Sequence, residues 1–253
     1  MLNKTIFILL ILFSSLNAKL FQTVPIDKIT IIQKGKDKIY CPNCGMNLAK
    51  FWKTSHAVEL KNGTIKQFCS IYCLVEQLEI TTLRGKEDMI KKYLVVDVIS
   101  NKYIDAKKAF YVIGSSKKGT MSATSKYAFK NKSDAKAFMN KNGGIITNFD
   151  GAYQIAIKDF AKDANLVAIK RGTKMYKIGE KLYNSICDKE KIALLHAHTM
   201  GEMKALIEHS NVCNLKSKGF KKDMQLQAIM LYYWDKRLKD FKKLYGKNEK
   251  IEK

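Results

Sequence analysis

Two short apolar segments, Ala57–Leu60 and Ile65–Phe68, are typical of β-strands. The residues between them include an Asn-Gly dipeptide, which favours a tight hairpin turn. The following segment, Ile71–Leu78, carries apolar residues at helical spacing and predicts a helix. A further strand is expected at Val95–Ile99. The predicted order of elements is therefore strand, strand, helix, strand.

A similar order of elements recurs between residues 109 and 149. The apolar segment Ala109–Ile113 predicts a strand, and a helix is expected to begin near Ser133, a residue type that caps helices well. Gly143 and Gly144 favour the end of that helix. Ile145–Phe149 then predicts another strand. We therefore expect an α+β fold that includes a second, smaller α+β lobe.

Beyond about residue 163 the pattern predicts helices alone, at Glu180–Ile186, Ile192–His209 and Met224–Leu244. In the last of these, apolar residues recur at the spacing of one helix face, which indicates an amphipathic helix. The change of pattern places a boundary near residue 166. We predict an α+β domain over residues 19–165 and a separate all-α domain over residues 166–253.

The first residues have the layout of a secretory signal peptide. Lys4 supplies a positive charge, Ile6–Phe13 is an unbroken apolar run, and small residues follow it. The run is shorter than the roughly 20 residues that a membrane-spanning helix needs. We expect residues 1–18 to direct export and to be cleaved, the alternative being an anchor that stays attached.

The formal net charge of +23 comes almost entirely from lysine, since arginine occurs only at positions 84, 171 and 237. Proteins that bind nucleic acids more often grip phosphates with arginine, and an exported protein rarely meets them. We therefore expect no nucleic-acid partner. The lysines are spread along the chain and indicate a solvated surface, with attraction to an anionic membrane surface or an acidic partner as the alternative.

Six cysteines follow the predicted signal peptide, at positions 41, 44, 69, 73, 187 and 213. An even number of cysteines in an exported protein is compatible with disulfides. The spacing Cys41-x-x-Cys44 on a turn also lets two thiolates reach one metal ion. Cys69 and Cys73 lie one helical turn apart, so their thiols share a face. Cys69 opens the predicted helix, a position that is expected to lower its thiol pKa.

Met46 lies two residues after Cys44 and adds a thioether to this sulfur-rich segment. A thioether is a soft ligand that suits Cu(I) better than Zn(II), so this residue favours Cu(I). A closed Zn(II) site of four thiolates is the alternative metal centre. A thiol–disulfide redox pair at Cys41 and Cys44 is another alternative, although such pairs normally open a helix. Structural disulfides between these cysteines are a further alternative.

Six segments between about residues 38 and 155 form a combined pattern: Tyr40–Met46, Phe68–Cys73, Lys118–Met121, Tyr127–Phe129, Asp134-Ala135 and Asn142–Gly144. In this order they resemble the NosL family, the nitrous oxide reductase accessory proteins, and the first is also similar to the TRASH and YHS metal-binding modules. The resemblance implies a periplasmic Cu(I)-binding protein, not an enzyme, with two small β-β-α-β lobes. It would supply copper to nitrous oxide reductase in denitrification, with that enzyme or its copper-maturation machinery as partner.

The resemblance also implies which residues bind the metal. Cys44 and Met46 match the family's Cys-x-Met pattern, and Met121 matches a methionine before the Ala-Phe segment of the second lobe. These three residues are the first candidates for copper ligands. The remaining candidates are the cysteines that occur in only part of the family: Cys41, Cys69 and Cys73.

The C-terminal part resembles a degenerate cytochrome c in two segments, Gly179–Cys187 and Leu226–Asp235. Since the haem-attachment pattern Cys-x-x-Cys-His is missing, the resemblance implies a cytochrome c-like fold without covalent haem. Cys187 and Cys213 are candidates for a disulfide. Between them lies a cluster that either binds a second copper ion or belongs to a helix with core methionines: His196, His198, Met200 and Met203.

Overall fold

The computed structural model describes residues 20–81 and 83–245. The predicted signal peptide, residues 1–18, lies outside these residues. Among the helices of the described part, none is long and apolar enough to cross a membrane.

The first lobe contains a four-stranded antiparallel sheet in the order β2-β1-β3-β4. Its strands are β1 (His56–Leu60), β2 (Ile65–Phe68), β3 (Ile90–Val96) and β4 (Tyr103–Asp105). The predicted hairpin joins β1 to β2, and Gly63 supplies the positive φ of +82° that such a turn requires. A short helix, α1 (Ile71–Val75), follows β2 with all five residues buried, and one π-helical turn extends it.

The second lobe contains a three-stranded antiparallel sheet in the order β6-β5-β7. Its elements are β5 (Phe110–Ile113), β6 (Lys126–Phe129), α2 (Lys132–Asn142) and β7 (Ile145–Thr147). In each lobe the first strand lies between the second and the third, and a helix precedes the third. The predicted α+β fold with two β-β-α-β lobes is therefore confirmed.

Two local predictions in this part of the chain are wrong. The apolar residues between positions 29 and 40 predict a β-rich segment. The backbone amides of Ile32 and Gln33 instead donate to the Gln67 side chain, at 2.7 and 2.8 Å, and not to a strand. The helix expected near Ser133, with that residue as its N-cap, begins at Lys132 and has Asn131 as its N-cap. There the Asn131 side chain donates to a carboxylate in the first turn of the helix.

A long helix, α3 (Phe149–Lys170), connects the second lobe to the C-terminal helices. Asn148 caps it, because its side chain accepts a hydrogen bond from the Gly151 amide at 2.9 Å. The predicted strand at Ile145–Phe149 therefore ends at Thr147. The predicted boundary at residue 166 lies inside α3, and the division of the chain into two domains stays a prediction.

The C-terminal helices are α4 (Tyr176–Ile186), α5 (Lys189–Ala193), α6 (Met200–His209) and α7 (Gly219–Tyr245). They bury a core of their own, and Cys187 forms the predicted disulfide with Cys213. The single helix expected over Ile192–His209 is instead two helices. Thr199 starts the second one, because its hydroxyl accepts a hydrogen bond from the Glu202 amide at 3.0 Å.

His56 joins the two sheets at their interface. Its Nδ1 donates to the Thr54 carbonyl at 3.0 Å, which leaves Nε2 to accept from the Tyr111 hydroxyl of β5 at 3.3 Å. The Tyr111 ring also stacks on the imidazole. Complete burial disfavours the charged form and lowers the pKa of His56 to about 4, although the bond to Thr54 works in the opposite direction.

This lowered pKa makes the fold sensitive to acid. Between about pH 6.5 and pH 4 the unfolded chain takes up a proton at this histidine and the folded chain does not, so the free energy of unfolding falls as pH falls. The full difference corresponds to about 3 kcal/mol. Urea unfolding at pH 7 and pH 4 should show that His56→Gln reduces the acid-dependent loss by about this amount. The exposed His209, changed to Gln, is the control; a loss in His56→Gln as large as in the native protein would contradict the prediction.

Candidate metal centre

The first half of the site is the loop Cys41–Gly45, which is the tight turn that the sequence predicts. The Gly45 amide donates to the Cys41 carbonyl at 2.8 Å, and the Cys41 amide donates to the Met46 carbonyl at 2.9 Å. Gly45 has a φ of +72°, a conformation that favours glycine. These bonds fold the loop back on itself, so both of its thiols come from the same short turn.

The second half of the site is the junction between β2 and α1. Cys69 follows the last residue of β2, and Cys73 lies one turn later inside α1. Their sulfurs are 3.6 Å apart, as the helical spacing predicts. Since α1 is buried on all sides, both thiols point into the core of the first lobe.

The two halves meet in a compact group of four free thiols, Cys41, Cys44, Cys69 and Cys73. All four sulfurs lie within 4.8 Å of one another, and those of Cys44 and Cys69 are 3.5 Å apart. A tetrahedral ion with metal–sulfur bonds of about 2.3 Å sets its sulfurs about 3.8 Å apart. The group therefore has the dimensions of a four-coordinate thiolate site. Within the part of the chain that the structure describes, it is the one cluster of histidine, cysteine and acidic side chains with metal-binding geometry.

All four thiols of this group are fully buried, and hydrogen bonds join Cys44 to Cys69 and Cys69 to Cys73. Burial alone would raise the pKa of Cys41, but hydrogen bonds from the other three thiols bring it well below its usual value. Hydrogen bonds with Cys41, Cys44 and Cys73 raise the pKa of Cys69, so the lowered value expected there is wrong. The hydrogen bonds with the neighbouring thiols outweigh the effect of the helix N-terminus on the pKa of Cys69. Burial likewise raises the pKa of Cys73.

The two predicted methionine ligands lie in a different environment from the thiols. Met46 and Met121 are half-buried and line one largely apolar cavity of about 330 Å³. Met121 has a φ of +58°, which is uncommon for a residue with a side chain and costs free energy. Its loop is held by two bonds: Thr120 pairs with Thr54 at 2.8 Å, and the Ala123 amide donates to Asp163 at 2.9 Å. The fold thus fixes a strained methionine at the cavity.

The C-terminal helices cover the cysteine loop, a feature that sequence patterns did not reveal. The Gln227 side chain donates to the Cys44 carbonyl at 2.7 Å, and Lys204 Nζ donates to the Gly45 carbonyl at 3.0 Å. The Met200 amide donates to the Pro42 carbonyl at 3.1 Å. Lys204 is completely buried and forms an ion pair with Asp223 at 2.8 Å. The backbone of the loop is therefore held by side chains that are more than 150 residues distant in sequence.

The predicted cluster around residue 200 does not assemble. His196 and His198 are exposed in the segment before α6, whereas Met203 is completely buried in the C-terminal core. Because the chain is not helical at the two histidines, these residues do not share a helix face. The expectation of core methionines holds for Met203.

Residues 33–155 match the family model of NosL. This segment belongs to the NosL family. All six predicted ligands of the chain lie inside the NosL segment, whereas α4 to α7 lie outside it.

A solved structure is also similar to part of this chain. The crystal structure of the copper chaperone NosL from Shewanella denitrificans is 24% identical, covers 51% of this chain and 94% of that one, and has a TM-score of 0.37. No curated protein gives a significant match.

A glycine substitution tests how closely the helices press on the cysteine loop. An alanine methyl at Gly45 would overlap the buried Met230 side chain, whereas Gly63, also at positive φ, has nothing within 4 Å. Gly63→Ala therefore reports backbone strain alone, about 1–2 kcal/mol. Gly45→Ala should lower the free energy of unfolding by at least about 1 kcal/mol more, since a packed core must shift. Urea unfolding of the reduced proteins measures both, and equal losses would contradict this packing.

Proposed function

We propose that this protein is an exported Cu(I)-binding metallochaperone that supplies copper for the copper centres of nitrous oxide reductase. The match of residues 33–155 to the NosL family supports a role as a metallochaperone. The signal peptide expected at residues 1–18 supports export to the periplasm, and the lysine-rich surface suits association with an anionic membrane. The acceptor is nitrous oxide reductase or its copper-maturation machinery.

One observation supports Cu(I) as the cargo: soft sulfur ligands from both lobes come to one region. Cys44 belongs to the buried thiol group, and Met46, two residues later, lines the same cavity as Met121. Thiolates and thioethers together suit Cu(I), whereas hard cations prefer oxygen. We propose Cys44, Met46 and Met121 as ligands, with Cys41, Cys69 and Cys73 as additional thiolates.

Release of copper would proceed by ligand exchange. The thioethers carry no charge and lose no proton on binding, so their bonds to Cu(I) are weaker and less dependent on pH than those of a thiolate. An acceptor sulfur can therefore replace Met46 or Met121 while Cys44 still holds the ion. The cavity that these methionines line offers a route to the ion, because it is partly bordered by exposed residues.

The full burial of the four thiols favours a second candidate, a closed Zn(II) site with a structural or docking role. Such a site would use Cys41, Cys44, Cys69 and Cys73 and no thioether. The redox alternative is less favoured. Cys41 and Cys44 have no exposed surface for a protein disulfide to reach, and their turn does not open an α-helix.

Cu(I) affinity of the reduced protein separates these candidates. Competition with a chromophoric Cu(I) chelator under anaerobic conditions should show that Cys44→Ser with Met46→Leu weakens binding at least about 100-fold, because a thiolate and a thioether are lost. Met139→Leu, a change on α2 remote from the cysteines in sequence, should leave the affinity unchanged. Unaltered Cu(I) affinity in the double variant would refute the proposal. One tightly held Zn(II) that Met46→Leu does not affect would favour the zinc site.

Delivery is tested separately with copper-free nitrous oxide reductase. The Cu(I)-loaded protein should restore the visible absorption of the copper centres faster than the same amount of copper released from a chelator. Met121→Leu should alter the rate of transfer more than Met139→Leu does. Equal rates from the protein and from the chelator would contradict a chaperone role.

A further inference from the structure

A third methionine, Met175, lines the cavity that Met46 and Met121 share. It belongs to the π-helical turn Arg171–Met175 between α3 and α4, outside the NosL segment. Met46, Met175 and Gln227 also line a second cavity of about 120 Å³. These three side chains therefore border both cavities. No motif or spacing in the sequence points to this methionine.

We propose that Met175 is a further thioether ligand for Cu(I), so that the helical region completes the site of the NosL lobes. This proposal rests on the proposed function, since it names an additional ligand for the same cargo. Three thioethers from separate segments match the preference of Cu(I) for soft, neutral ligands in low coordination number. Lys170 and Arg171 also border the cavity, and their charge disfavours divalent cations more than a monovalent one.

Contacts between the helices fix the position of Met175. The helix that follows it, α4, approaches the backbone of α7 so closely at Gly179 that any side chain there would overlap the Ala228 carbonyl. In turn, α7 holds the cysteine loop through the bond from Gln227 to the Cys44 carbonyl. These two contacts link Met175 to the loop that carries Cys44 and precedes Met46. A ligand placed in this way needs little rearrangement to bind.

Buried interactions on the other side of the loop support the same arrangement. Lys204 binds the Gly45 carbonyl and Asp223, and its ammonium lies 4.4 Å from the centre of the Tyr40 ring. Lys50, from the first lobe, also pairs with Asp223. Breaking a buried ion pair of this kind is costly, so the helical region stays docked on the lobes. The cavity is thus lined by methionines from three segments of the chain.

The test counts methionine ligands directly. Protein containing selenomethionine is loaded with one Cu(I) per chain, and copper-edge X-ray absorption measures copper–selenium scattering. Met175→Leu, which nearly preserves side-chain volume, should lower the number of selenium neighbours by one and weaken Cu(I) binding about tenfold or more. Met224→Leu is the matched control, because Met224 lines the second cavity but not the first. It should change neither quantity.

The other possible outcomes would overturn either the role of Met175 or the proposed function. Native Cu(I) affinity and selenium scattering in Met175→Leu would overturn this inference and leave the proposed function intact. Equal losses in Met175→Leu and Met224→Leu would also overturn it, since they would indicate a general disturbance of the helices. Failure of the native protein to bind Cu(I) would refute the proposed function itself, and with it this additional ligand.

Discussion

The loop Cys41–Gly45 is the constraint on which the site depends, because it is held from both sides. Its thiols face Cys69 and Cys73 in the core of the first lobe. Its carbonyls accept hydrogen bonds from Gln227 and Lys204 of the C-terminal helices. A turn of this length cannot bury its own polar backbone groups without such partners. The C-terminal helices therefore contribute to the shape of the candidate metal centre, although its four cysteines come from the first lobe.

Sequence patterns predicted the features of this fold that depend on neighbouring residues. The Asn-Gly turn fixed the β1–β2 hairpin, and the spacing of Cys69 and Cys73 placed two sulfurs on one helical turn. A prediction failed where a side chain distant in sequence bound backbone groups that would otherwise pair with a strand. Gln67 captures the amides of Ile32 and Gln33, so a segment that looked β-rich pairs with no strand. Such competition leaves no periodic signal in the sequence.

The same limit applies to the candidate site. The spacing of the cysteines revealed the two Cys pairs, and the family resemblance pointed to Met46 and Met121. The separation of the thiols from the thioethers, however, depends on tertiary structure. The thiols are closed off in the core, whereas the thioethers line a cavity. The residues before Met175, Arg171 to Lys174, form no recognisable metal-binding motif with it. Only the packing of α4 against α7 brings it to the cavity.

This division of the sulfurs suits a protein that must hold an ion and then release it. A fully enclosed set of four thiolates binds tightly but offers no position for an incoming ligand, which is why such sites are normally structural. A cavity of neutral thioethers beside it provides weaker bonds and access from outside. Cys44 and Met46, two residues apart, connect the two environments through one rigid turn. On the proposed function, retention of the ion would depend on the thiolates and its exchange on the methionines.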